Sequence, residues 1–121
     1  MTEAEALDLI VGFGANATSG FAIYISFTFA FLTLSYFVGS KLTTFQAIVV
    51  SVIYIIGAIG PAVSAYSHIR AIAEIQASRP TLLDGLFGWD QTVFLIWEPV
   101  LAAIGILLSL YFLYDARREN R

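Results

Sequence analysis

Three apolar stretches, each about as long as a bilayer is thick, limit this chain more than any other feature. They run over approximately 20-38, 45-66 and 92-114, and the first closes at Gly39-Ser40-Lys41 while the third stops at Asp115-Ala116-Arg117-Arg118. A helix of roughly 20 residues, rising 1.5 Å per residue, crosses a hydrocarbon core about 30 Å thick. Composition agrees. Of 121 residues, 59% are apolar and 12% charged, and the mean hydropathy is +0.82. Soluble domains carry about twice that share of charge, so the chain has too little polar surface to cover a water-soluble globule. The expected fold is an all-α integral membrane protein, one three-span domain over 1-121. A helical, interfacial segment is expected between spans 2 and 3, within an outer connection over 67-91.

The first stretch is a poor signal peptide, because Thr2-Glu3-Ala4-Glu5 upstream is acidic where a positive region is needed. Thr2 followed three residues later by Glu5 matches a capping box, and Leu7, Ile10, Val11 and Gly14 continue at helical spacing. A helix start and a frayed tail both fit this segment.

Basic residues set the expected orientation, since Lys and Arg concentrate on the cytoplasmic side. With the N-terminus outside, Lys41, Arg117, Arg118 and Arg121 lie inside, and Arg70 and Arg79 outside. Acids fall the other way, with Glu3, Glu5, Asp8, Glu74, Asp84, Asp90 and Glu98 on the outer side. The N-terminus is therefore expected outside and the C-terminus in the cytoplasm, in a bacterial inner membrane. Trp89, Trp97, Arg117 and Arg118 are the expected interfacial anchors.

Between the second and third spans, Ser67 to Ser78 carries no helix breaker, and Arg70 and Glu74 are an i,i+4 pair. The second helix should project beyond the membrane and end before Pro80, because the residue before a proline disfavours the helical region. Thr81 to Trp89 then reads as an interfacial helix, with a re-entrant loop as the alternative. Asp90 is expected to cap the third helix.

Within lipid, helices meet where small residues let backbones approach. The stripes on offer are Ser19, Ala22, Ser26, Ala30 and Thr33 on the first span, and Gly57, Gly60, Pro61 and Ser64 on the second. Ala102, Gly105 and Ser109 form the third. The Tyr24, Phe27 and Phe31 side of the first span is expected to face lipid. Three helices enclose little interior, so self-association or assembly with other membrane proteins is expected.

Glu98 is the leading site candidate, since an ionisable group at membrane depth is costly and suggests function. Either it binds a cation or proton, or it pairs with Arg70 or Arg79 in an oligomer, or it lies at the outer interface beside Trp97 and faces water. His68, the single histidine, is a weaker ion or proton candidate, and as a cofactor ligand it would need a second axial partner. Gly57 to Pro61 reads as a kink that frees a backbone carbonyl. Asn16-Ala17-Thr18 matches the glycosylation sequon, a short and unspecific pattern. With no cysteine, no Ser/His/Asp constellation, no phosphate loop and no metal-ligand cluster, neither cofactor nor metal is expected. A net charge of −3 without a basic stripe argues against nucleic acid. The favoured function is a non-enzymatic accessory or structural subunit of a membrane assembly. The alternative is a homo-oligomeric cation or proton channel or carrier with Glu98 at its pathway, and the third a lipid- or quinone-handling enzyme.

Overall fold

The computed structural model describes residues 2–79 and 92–119, and it is helical almost throughout. Helix α1 spans Glu3–Val38, a 3-10 turn Gly39–Lys41, α2 Thr44–Ser78 and α3 Thr92–Glu119. All three helices are long and apolar enough to cross a membrane. Their most hydrophobic 18-residue windows are only 11%, 22% and 11% buried inside the chain. That apolar surface therefore faces the chain's surroundings, as lipid solvation requires. The interfacial segment and the anchor Trp89 lie outside the described residues, as does Asp90.

Helix α1 has no frayed tail. Thr2 Oγ1 accepts from the Glu5 N–H at 3.1 Å and the Glu5 carboxylate accepts from the Thr2 N–H at 3.1 Å, which completes the capping box. A second box opens α2, with Thr43 and Gln46 exchanging the same bonds at 3.0 and 3.1 Å. At its other end α2 stops at Ser78, and the Arg79 N–H closes on the Ile75 and Gln76 carbonyls. Helix α2 passes through Pro61, and α3 through Pro99, without interruption.

With 36 and 35 residues, α1 and α2 are each about 53 Å long. They pair antiparallel along most of that length. On α1, Ala6, Ile10, Ala17 and Gly20 are buried, with Phe13 and Tyr24 half-buried in the gaps. On α2 the buried series is Tyr54, Ala58, Ala62, Ala65, Ile69 and Ile72. Spacings of three and four keep one seam facing the partner, as in a coiled coil. Helix α3 runs parallel to α1 and joins the pair over the half nearer the turn. There Phe31, Ala47, Tyr54, Ala58 and Leu113 form the main core. A smaller cluster, Ile10 and Ile72 with Phe13 and Ile75, holds the far half together.

One packing expectation is overturned. Tyr24 and Phe31 turn inward, while Phe27 remains 41% exposed: Phe31 is 4% exposed and stacks on Tyr54 with ring centroids 4.2 Å apart. The Phe27 ring occupies the space that a side chain at Gly57 would need, and the Tyr24 hydroxyl does the same at Gly105. Small residues on α2 and α3 thus receive large ones from α1, which fills space better than small against small.

Candidate functional site

Ser19, Ala22, Ser26, Ala30 and Thr33 are all exposed on the face of α1 turned away from this core. The Ser26 and Thr33 hydroxyls bond back to their own helix. Ser26 donates to the Ala22 carbonyl at 2.8 Å and Thr33 to the Phe29 carbonyl at 2.8 Å. Such back-bonding leaves a narrow strip with satisfied polar groups, against which another helix can lie closely. Toward the far end this strip meets the small face of α2. Ser19 and Gly20 line one groove with Gly60, Pro61, Ser64 and His68, about 420 Å³ in volume. Contact across its floor is tight, since a Cβ on Gly20 would stand 2.9 Å from the Pro61 carbonyl oxygen. Asn16 also lines this groove from within α1, so the sequon is helical. On α3, Ala102 and Gly105 face Tyr24, whose hydroxyl donates to the Ala102 carbonyl at 2.8 Å, and Ser109 is buried.

His68 borders the same groove. Its Nδ1 lies 2.7 Å from the Ser64 carbonyl, which can only accept, so Nδ1 carries a proton and Nε2 is the free nitrogen of the neutral ring. The ring rests 5.9 Å from Phe13.

Glu98 is buried, with 7% of its surface exposed, although neighbouring Trp97 is 56% exposed. Its Oε1 is shielded and has no hydrogen-bond partner among the described residues. Two grooves meet at this carboxyl. One, about 570 Å³, lies between α2 and α3 and is walled by Ile59, Ala62, Val63, Tyr66, Ile106 and Leu107. The other, about 370 Å³, lies between α1 and α3 beside Phe21, Tyr24 and Phe94. Nearly all the lining of both is apolar. Among the described residues, no group of three or more His, Asp or Glu side chains converges as a metal site would require.

At the turn end, Arg117 bonds across helices. Its guanidinium donates to the Leu42 carbonyl at 2.7 Å, the Thr43 carbonyl at 3.0 Å and Thr44 Oγ1 at 3.4 Å. It thereby ties α3 to the start of α2. Arg118 pairs with Asp115 at 3.7 Å near the surface. The tie made by Arg117 was not legible beforehand, because an arginine just past a span looks like any headgroup anchor.

An all-helical chain with three candidate membrane spans is therefore the class that fold and grooves define. Compared with protein-family models, curated proteins and solved structures, the chain gave no match.

Proposed function

We propose that this chain is a non-enzymatic subunit of a membrane assembly, which docks a transmembrane helix of a second copy or of another subunit in its small-residue groove. In this reading the Gly39–Lys41 turn and the C-terminus lie in the cytoplasm, Glu3 lies outside, and the membrane is a bacterial inner membrane. The observation that carries it is the outward strip from Ser19 to Thr33, continuous with the groove at Gly60, Pro61 and Ser64. Lipid gains nothing from small side chains, whereas a neighbouring helix gains close backbone approach. Ala22→Leu combined with Ser26→Leu should reduce the assembly seen by native mass spectrometry to the lone chain. Exposed Ile48→Leu, on α2, should leave it intact. An unaltered assembly in the double variant would sink the proposal.

The buried carboxyl of Glu98 favours a second reading, a homo-oligomeric cation or proton pathway. It predicts flux into liposomes that Glu98→Gln abolishes. The apolar walls beside Glu98 weigh against a water-filled path.

A further inference from the structure

The groove between α2 and α3 has the chemistry of a binding site for one kind of molecule. It is apolar along its walls and carries a single carboxyl at one end. The nearest polar group on its lining is the Tyr66 hydroxyl, about one helical turn beyond Ala62. From Glu98 the groove descends along α3 to Leu107, nine residues or about 13 Å toward the turn. Its volume of about 570 Å³ lies within the usual range for small-molecule sites, roughly 300–1,000 Å³.

Depth identifies the head of that molecule. Arg117, at the opposite end of α3, is nineteen residues from Glu98, about 28 Å along the helix. A hydrocarbon core about 30 Å thick placed with Arg117 at one face brings Glu98 to the other. The carboxyl then sits where lipid headgroups meet acyl chains, and the groove below it runs into the hydrocarbon.

Among the described residues, none of the Lys and Arg side chains of α2 and α3 lies on the lining of this groove. Arg70 lies eight residues beyond Ala62 on α2, about 12 Å away along the helix, and is bonded to Glu74 at 3.4 Å. Arg79 is farther still along α2, and Pro80 to Gln91 contains no Lys, Arg or His. A shielded carboxyl oxygen with no partner among the described residues is expensive to leave unpaired.

We infer that the α2–α3 groove binds a primary-amine amphiphile, with its ammonium group on Glu98 and its hydrocarbon tail along Ala62, Ile106 and Leu107. An ammonium is compact, carries three donors and forms a charge-assisted bond to a carboxylate. Two sources share this chemistry, a phospholipid with an ethanolamine headgroup and a free long-chain amine. In the phospholipid, the Tyr66 hydroxyl can donate to the phosphate. The site stands apart from the small-residue groove between α1 and α2, so the two proposals fail separately.

The test uses the whole chain in nanodiscs of palmitoyl-oleoyl phosphatidylglycerol, titrated with phosphatidylethanolamine of the same acyl chains, with hexadecylamine, or with hexadecanol. Retained ligand is read by native mass spectrometry. Wild type should retain one or both amines about tenfold better than hexadecanol, as a charge-assisted bond implies. Glu98→Gln, which keeps the side-chain volume, should lose that preference. Ala103→Phe narrows the tail lane without altering the carboxyl, and should weaken both amines while Glu98 remains. Retention of phosphatidylethanolamine assigns the source to the bilayer, and retention of hexadecylamine alone assigns it to a free amine. Equal retention by wild type and Glu98→Gln would overturn the inference. So would a disulfide joining Glu98→Cys of one copy to Arg70→Cys of another.

Discussion

Toward the Gly39–Lys41 turn three helices share one core, whereas toward Glu3 and Ser78 the described core is made by two. Near the turn, Phe31, Tyr54 and Leu113 lie against one another, and Arg117 fastens α3 to the start of α2. At the far end, among the described residues, Ile10 and Ile72 meet with Phe13 and Ile75 beside them. Polar exchange also differs. Near the turn, Thr28 and Tyr54 share a hydrogen bond at 2.9 Å between helices, while at the far end Arg70 pairs with Glu74 on its own helix. That last pair is about two-thirds exposed on both side chains and adds at most tenths of a kcal/mol. Among the described residues, the turn end thus joins three helices and the far end two. Both candidate grooves, at Glu98 and at Ser64, lie between these regimes.

The sharpest way to break this contrast is to empty the centre of the three-helix core. Tyr54 is 2% exposed, stacks on Phe31 and shares its hydroxyl with Thr28. Tyr54→Ala should cost about 3–5 kcal/mol and lower the midpoint of unfolding in SDS or heat for the whole chain. Ile72→Ala at the two-helix end should cost less, about 2 kcal/mol. Its effect should appear as faster amide exchange confined to the two ends of the hairpin. Equal, global effects of the two changes would mean that both halves unfold as one unit.

Arg117 tests how the third helix is held. Arg117→Ala removes two charge-assisted bonds to carbonyls in a half-buried setting, for an expected loss of about 1.5 kcal/mol. Because the bonds join α3 to α2, a cysteine pair across those helices near residues 43 and 117 should cross-link less efficiently in the variant. An unchanged cross-linking yield would show that packing of Leu113 alone holds α3.

Much of this architecture is legible in the residues, and the misreadings share a cause. Three apolar runs announce three helices, and the alternation of Arg70 with Glu74 continues α2 to Ser78 as expected. The extent of α1 is less visible, because Gly12, Gly14 and Asn16 dilute the hydrophobic run that begins near residue 20. It persists because α2 offers a seam for Ile10, Phe13 and Ala17. Expected to face lipid, Tyr24 and Phe31 instead turn toward the other helices. In fact Gly57 and Gly105 receive Phe27 and Tyr24, and shape pairing between helices is invisible in either helix alone. Glu98 stands out by residue type, but its burial depends on α1 and α2. That shielding is therefore legible only once those helices are in place.

The smallest expected effects come from the two capping boxes, which are nearly identical in geometry and differ in setting. Thr43 caps α2 beside the turn, where Arg117 also reaches the Thr43 carbonyl. Thr2 caps α1 at the far end, where it exchanges bonds with Glu5 and both residues are exposed. Replacing a threonine cap by alanine costs about 1 kcal/mol in either helix taken alone. In Thr43→Ala that loss should register in full as a lower unfolding midpoint, because α2 cannot fray there without releasing the Arg117 bonds. In Thr2→Ala the first turn of α1 can unwind with little loss of buried contact beyond Ala6. The same chemical change should then appear as faster amide exchange over residues 3–9, with the midpoint almost unmoved. Equal shifts in the midpoint would mean that the far end is as firmly held as the turn, against the division drawn from the two cores.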